Sequence, residues 1–300
     1  MTRKPAAKTT IRKCTVAIVG AGRLATFLAV ALNDAGFSIA EIVARDSARS
    51  RRRARFLAEK VDARAVTADS AALNAGLLWF CVPDREIRSA TLSLAGHVPA
   101  RTSAAEANVR FAFHSSGALL SRELGLLRKA GVAVASVHPL MTFVAGTDPS
   151  LAGVPFALEG DRAAMQMARR IVRDLGGESF SLSPSRKRAY HAWATMTSPL
   201  LLAFLVTLEE AAHAAGFAPA DARRMSLPII RQTLANYSRL GAARSFSGPL
   251  VRGDAETVAK HLTALKKHPA AYKVYVALAQ EALRKLPARN QEELNRLLRE

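Results

Sequence analysis

The stretch Thr15-Val-Ala-Ile-Val-Gly20-Ala21-Gly22-Arg23-Leu24-Ala25 decides how the chain is read. An apolar run, Thr15 to Val19, ends on a glycine, which predicts a short buried strand. Beyond it Leu24, Phe27, Leu28, Ala31 and Leu32 recur at helical spacing until Gly36, predicting a helix from Arg23 to Ala35. The junction, Gly20-Ala21-Gly22-Arg23-Leu24-Ala25, matches G-x-G-x-x-G/A. Alone the pattern is weak; after a strand and at the start of a helix it predicts a dinucleotide cradle. Gly20 permits the tight turn, and Gly22 lets a pyrophosphate approach the backbone. Ala25 lets the helix pack closely on the strand, and the helix N-terminus attracts phosphate charge. Gly20, Ala21, Gly22, Arg23 and Leu24 are therefore the expected cofactor contacts.

Working outward, strands are expected at 39–44, 63–66, 77–82, 111–113, 132–137, 154–158 and 179–182, with helices at 47–59, 121–130 and 162–175. Strand–helix alternation implies an α/β fold, a mostly parallel sheet covered on both faces. From Ser183-Pro184, a helix-start signal, only helices are expected: 184–215 with a kink at Pro199, 219–239, 254–266, 269–285 and 288–299. The expected architecture is a disordered basic tail (1–13), a Rossmann-type nucleotide domain (14–182), and an all-helical substrate and dimerisation domain (183–300).

Composition narrows the class. The 300 residues are 50% hydrophobic and carry a net charge of +19, so a substantial core is expected and global disorder is not. The Arg/Ala bias of a GC-rich genome accounts for the charge; the alternative is attraction for an anion. Nucleic acid is not the expected partner, because aromatics are only 6% and no nucleic-acid motif is present. Cys14 and Cys81 form no C-x-x-C pair, and no His/Cys cluster has zinc spacing, so neither a metal nor a disulfide framework is expected and a reducing cytoplasm fits. The basic N-terminus lacks the apolar segment of a secretory signal. The longest apolar run, Pro199 to Leu208, falls short of the roughly 18 residues that span a bilayer, so no membrane is expected.

Cofactor choice is read at the end of the second strand. Arg45 and Ser47 stand there, positioned to hold a 2′-phosphate with Arg49 or Arg51 beside them, which favours NADP(H). Asp46 is the rival: at the strand tip it would favour NAD(H).

Five further segments, Phe80-Cys-Val-Pro-Asp84, His114-Ser-Ser-Gly117, His138-Pro-Leu140, Tyr190-His191, and Gly248-Pro-Leu-Val-Arg-Gly-Asp254 with His261, resemble the Rossmann-like proteins that carry domain of unknown function 2520. The resemblance runs from about Cys14 to Leu283. It implies a Rossmann domain plus a helical domain, as in ketopantoate reductases, pyrroline-5-carboxylate reductases and 3-hydroxyacid dehydrogenases, and a homodimer by analogy with them. One departure stands out: the helix holding the family's Tyr-His pair carries Ser-Asn seven and eight residues past the His, and here those positions are Ser198-Pro199.

Reduction of a carbonyl or imine needs a proton donor and charge stabilisers near the nicotinamide. His191 is the expected donor, with Thr195 and Ser198 at i+4 and i+7 on one helical face; the alternative is an interface histidine. His114 is a further catalytic candidate. Val82, Pro83 and Ser115 are expected beside the cofactor, and Ser116 and His138 beside the substrate. Arg252 would pair with a substrate carboxylate or, alternatively, with Asp254 in a loop-pinning salt bridge. The expected function is NADPH-dependent reduction of a small 2-oxoacid or imine. The alternative is a non-catalytic dinucleotide-binding sensor or partner protein.

Overall fold

The computed structural model describes residues 13–98, 109–147 and 150–299. Most of the expected basic tail thus lies outside the described residues. Lys13 does not: its Nζ donates to the Ala35 carbonyl at 2.6 Å and pairs with Asp174 at 3.1 Å, so it is anchored to the first domain. The chain divides into two compact units, Met1–Ala194 and Thr195–Glu300.

In the first unit the elements run β1 (Val16–Val19), α1 (Arg23–Asp34), β2 (Ile39–Ala44), α2 (Ala48–Lys60), β3 (Arg64–Thr67), β4 (Leu77–Phe80), α3 (Asp84–Ala95), β5 (Phe111–His114), α4 (Gly125–Lys129), β6 (Ala133–Pro139), β7 (Pro155–Gly160), α5 (Arg162–Asp174) and β8 (Glu178–Ser181). The helix α6 (Lys187–Thr197) then crosses the division between the units. The strands form one sheet in the order β3-β2-β1-β4-β5-β6-β7-β8, parallel except where β7 runs against β6. The order reverses between β1 and β4, the switch point at which an α/β sheet opens a crevice outside its strand ends.

Strand side chains alternate between faces, so a strand covered on both sides is apolar throughout. Val16, Ile18, Leu77 and Trp79 pack with α1, α2 and α5, whereas Ala17, Val19, Leu78 and Phe80 pack with α3 and α4. The helix α3 is absent from the sequence reading, which has no helix between the strands at 77–82 and 111–113. Pro83 instead precedes the helix at φ −54°, and Asp84 and Glu86 stand in its first turn, where the helix dipole favours acidic groups.

The second unit holds α7 (Pro199–His213), α8 (Pro219–Leu240), α9 (Ala242–Ser245), α10 (Pro249–Arg252), α11 (Ala255–Leu265), α12 (Pro269–Lys285) and α13 (Gln291–Leu297). Its core is small, with Val258, Leu262, Ala279, Leu283, Leu294 and Leu298 meeting from the last three helices and their ends. The Gly248–Asp254 motif makes a corner. Gly253 caps α10 in the left-handed region, and Asp254 caps α11 by accepting from the Thr257 amide at 3.0 Å. Pro199 breaks the expected 184–215 helix: α6 ends at Thr197, Ser198 takes φ −128° and ψ −72°, and α7 starts at Pro199. As one stretch, Pro184–His213 is long and apolar enough to cross a membrane by length and composition, which corrects the sequence reading. The break leaves helices of 11 and 15 residues. At 1.5 Å per residue these are about 16 and 22 Å long, each short of a hydrocarbon core of roughly 30 Å.

Glu41 shows how a buried charge holds a strained loop. It is fully buried on β2, pairs with Arg64, and accepts from the amides of Ala72 at 3.2 Å and Leu73 at 3.0 Å. Leu73 has φ +49°, a conformation a leucine adopts only when held. Glu41→Ala strands two amides beneath the sheet edge and should lower stability by about 3 kcal/mol, read as a shift in the urea midpoint.

Candidate active site

The crevice over β1, β2 and β4 is a cleft of about 600 Å³. Gly20, Ala21 and Gly22 line one wall, Arg45, Asp46, Ser47, Arg49, Ser50 and Arg53 the far end, and Cys81, Val82, Pro83 and Glu86 the other wall. Gly20 sits at φ +112°, and a Cβ there would lie 2.6 Å from the Cys81 carbonyl oxygen, so only glycine fits between the two strands. Gly22 caps α1 with no side-chain hydrogen bond, and the first turn of α1 has no acidic residue. The free N–H groups of that turn are a cradle for an anion. Arg23 is exposed and Leu24 packs against the core, and neither side chain lines the cleft; they serve the cradle through the backbone.

The ribose end differs from expectation in detail. Arg45 reaches across the cleft to Glu86 at 2.9 Å, Asp46 pairs with Arg51, and the Ser47 hydroxyl caps α2 by accepting from the Ser50 amide at 3.3 Å. Arg49 and Arg53 line the same end one helical turn apart. Arg53 escaped the sequence reading because it sits in the run Arg51-Arg52-Arg53, which looks like a solvated face.

Two strands along, polar residues replace the apolar core. His114 on β5 lies beside Ser136 on β6, and Ser136 beside Glu159 on β7, all buried. Each grips the segment after β5. The His114 Nε2 lies 3.0 Å from the Leu120 carbonyl, and its Nδ1 accepts from the Ser116 amide at 3.2 Å. Ser136 donates to the Ser116 carbonyl at 3.0 Å. Glu159 accepts from the amide and hydroxyl of Ser121 at 2.7 and 2.8 Å. Lys187 of α6, 1% exposed, donates to the Ser136 hydroxyl. Burial lowers the Lys187 pKa to about 8 against the opposing pull of Glu159 and Asp84. Lys187 was not foreseen: its place one turn before His191 was visible, its burial was not.

The gripped segment carries Gly117, and over Gly117 stand two imidazoles. A Cβ at Gly117 would lie 2.6 Å from the His191 Cδ2 and 2.8 Å from the His138 Nε2. The two rings meet edge-on with centroids 6.2 Å apart, and the His138 Nδ1 lies 2.8 Å from the Tyr190 hydroxyl. The structure thus brings His138 and His191 together, with Tyr190 beside them.

Other expected residues are spent on structure. His114 is fully buried with both nitrogens bonded, so it has none for a substrate. The Ser116 hydroxyl donates to Asp84 at 2.8 Å and accepts from the amides of Ala118 and Leu119, which makes it a turn residue. The Ser115 hydroxyl accepts from the Trp79 indole at 2.9 Å and does not line the cleft. Thr195 follows His191 by four residues on α6, and Ser198, at φ −128° and ψ −72°, lies in the break before α7. Arg252 pairs with Asp254 at 4.0 Å, the loop-pinning alternative. No cluster of metal-ligating side chains occurs among the described residues.

The fold and this crevice define a dinucleotide-cradle protein with an appended helical domain. Residues 1–139 match the Rossmann-like domain family and residues 154–282 match the family described as Domain of unknown function (DUF2520), so the chain joins a Rossmann-like domain to a DUF2520 domain. No curated protein matches the sequence. Among solved structures, the chain is similar to a candidate NADP oxidoreductase of Bacteroides fragilis, with 22% identity, a TM-score of 0.72, and coverage of 91% of this chain and 98% of that one. It is similar to a pyrroline-5-carboxylate reductase of Coxiella burnetii, with 16% identity, a TM-score of 0.56, and coverage of 90% and 97%. It is also similar to a reductive aminase of Aspergillus terreus in complex with NADPH and ethyl-5-oxohexanoate, with 13% identity, a TM-score of 0.62, and coverage of 94% and 99%. At these identities the likeness is one of fold.

The state of His114 has a measurable consequence. Burial, followed by the charges of Lys187 and His138, lowers its pKa from 6.5 to about 4 against the pull of the Leu120 carbonyl. Between those values the unfolded chain binds a proton that the folded one does not, so stability falls as pH drops through this window. Going from pH 7 to pH 5 should cost on the order of 2 kcal/mol through His114 alone. His114→Gln should be less stable at pH 7 yet lose that share of the acid sensitivity, read from melting temperatures across the window.

Proposed function

We propose that the protein is an NADP(H)-dependent oxidoreductase that reduces a small carbonyl or imine compound, of the 2-oxoacid or cyclic-imine kind. The observation that carries this reading is the arrangement along one edge of one sheet. An uncapped helix N-terminus over a glycine turn lies at the switch point, arginines lie at the β2 end, and a histidine pair over Gly117 lies at the β5–β6 end.

The residues that line the cleft fit the phosphates of the cofactor. The first-turn amides of α1 would hold the pyrophosphate, and Arg49 and Arg53, with the α2 N-terminus, would hold the 2′-phosphate. Val82 and Pro83 would flank the cofactor at the end of β4. When bound, reduced nicotinamide supplies the hydride. The chain's own part is to orient the acceptor and deliver a proton, and His191 is the proposed donor. Names of fold neighbours support the direction: one is a reductive aminase with NADPH, another a pyrroline carboxylate reductase with NADP bound. Both cysteines are free thiols, which suits the cytoplasm as the proposed compartment.

Fluorescence titration with NADPH and NADH tests the cofactor reading. NADPH should bind more tightly, and Arg53→Ala should weaken NADPH about tenfold while leaving NADH nearly unchanged, as expected for one lost charge-assisted bond to a phosphate. Preference for NADH would reassign the ribose end to Asp46. Binding of neither would sink the reading, and binding without turnover on an oxoacid and imine panel would favour the sensor.

A second copy of the chain is the proposed cover for α7 and α8. These helices are tied by a fork from Arg223 to Glu209 at 2.8 and 3.3 Å. No residue of α7 is buried, and Ala222 alone is buried on α8. Leu200, Leu202, Val206, Ile229, Leu234 and Tyr237 are all more than half exposed. Helices owe their stability in proteins to a buried apolar face, and this pair lacks one. Sedimentation should give a dimer, and Leu202→Glu with Ile229→Glu should give monomers. A wild-type monomer without detergent would refute the dimer, and one that needs detergent would point to a membrane instead.

A further inference from the structure

We propose that Tyr190 fixes the tautomer of His138, so that a neutral imidazole presents its Nε2–H over Gly117 as the hydrogen-bond donor to the carbonyl oxygen of the substrate, whose second lone pair is left for the proton from His191. The inference deepens the reductase reading and rests on it for the identity of the acceptor. The tautomer itself rests on geometry alone.

The hydroxyl of Tyr190 lies 2.8 Å from the His138 Nδ1, and among the described residues Nδ1 is its one hydrogen-bond partner. The proton between them can sit in two ways. If Nδ1 donated, the phenol proton would be left without an acceptor on a residue that is only 8% exposed. If the phenol donates, the buried phenol proton is used, and His138 carries its own on Nε2, on a half-buried residue that faces the space over Gly117. Burial pushes the Tyr190 phenol up to about 12, so it keeps its proton. The ring cannot swing away: Phe180 packs against it at 6.0 Å and Trp193 at 5.9 Å.

The imidazole stays neutral for reasons found on every side of it. Burial comes first, then the charge of His191 and of Lys187, both on α6, and together they lower its pKa to about 4. His114, two strand positions back on the same face, is itself neutral at physiological pH. A neutral donor does not compete with His191 for the acid's role. It polarises the acceptor, and His191 delivers the proton.

The other half of the ring is free to work. Nε2 has no hydrogen-bond partner among the described residues, unlike His114, whose two nitrogens are both bonded. It lies 2.8 Å from the point a Cβ at Gly117 would occupy, so the space in front of it exists because residue 117 is glycine. Tyr190 is thus a positioning residue and His138 the group that touches substrate.

The test is nitrogen NMR on the full chain with labelled histidine. There are seven histidines, and His138 is assigned by the signal that disappears in His138→Gln. Between about pH 6 and pH 8 the wild type should show a neutral His138 with bare Nδ1 and protonated Nε2. In Tyr190→Phe the signal should move toward a mixture of tautomers, a change that a merely packing tyrosine would not cause. A protonated Nδ1 in the wild type, or a charged ring at pH 7, would overturn the proposal. For the donor role, His138→Gln places an amide nitrogen where Nε2 stood, whereas His138→Asn places one where Nδ1 stood. The asparagine variant should lose about 10²- to 10³-fold in kcat with little change in KM, and the glutamine variant clearly less. Equal losses would overturn the donor role. Absence of turnover in the wild type would overturn it together with the reductase reading, and the tautomer result would still stand.

Discussion

Three buried polar side chains on three neighbouring strands hold the backbone between Ser115 and Ser121, and the candidate site stands on that backbone. His114, Ser136 and Glu159 lie in register across β5, β6 and β7, where apolar residues would otherwise complete the core. A buried polar group without a partner is costly, so each must find one, and each finds it in this one loop. The loop is thereby over-determined: the Ser116 amide and carbonyl, the Leu120 carbonyl and the Ser121 amide all have fixed addresses. A loop so fixed can place Gly117 against two imidazoles with no slack. Lys187 completes the arrangement from α6, since its ammonium balances Glu159 and Asp84 and ties the helix carrying Tyr190 and His191 to β6.

The nucleotide crevice and the histidine cluster use different physics. The nucleotide crevice presents backbone, in a glycine turn and an uncapped helix start, together with exposed basic side chains able to meet a phosphate. Its charges already pair with one another, Arg45 with Glu86 and Asp46 with Arg51, so an arriving phosphate competes with exposed ion pairs that are each worth little. The histidine cluster is made of buried side chains whose protonation is set by desolvation. Binding tolerates adaptable groups, while proton transfer and polarisation need groups held in one geometry.

Local signals were legible in the sequence and tertiary ones were not. The β1–α1 cradle could be read because each of its requirements falls on neighbouring residues. The helix α3 was missed because proline both ends strands and starts helices, and only the acidic first turn at Asp84 and Glu86 distinguishes the two. His138 and His191 stood out by residue type, whereas the relation between them depends on Gly117 and on where β6 ends. Lys187 sits between Arg186 and Arg188, and nothing in such a run says which cation turns inward. By position His114 looked catalytic, and Ser116 looked as much a substrate contact as His138. The hydrogen bonds that retire them arise only once the loop closes on Leu120 and Asp84.

The same contrast explains the departure at Ser198-Pro199. A proline there forfeits a helical hydrogen bond and ends α6 one turn after the histidine face. What the chain keeps is everything before the break: Lys187, Tyr190 and His191 all belong to the first unit, together with every residue that fixes Gly117. The two groups assigned to polarisation and proton delivery, His138 and His191, both precede Thr195, whereas the helices that follow answer to a different constraint. That constraint is visible in α7 and α8, where apolar side chains outnumber anything their own unit can bury.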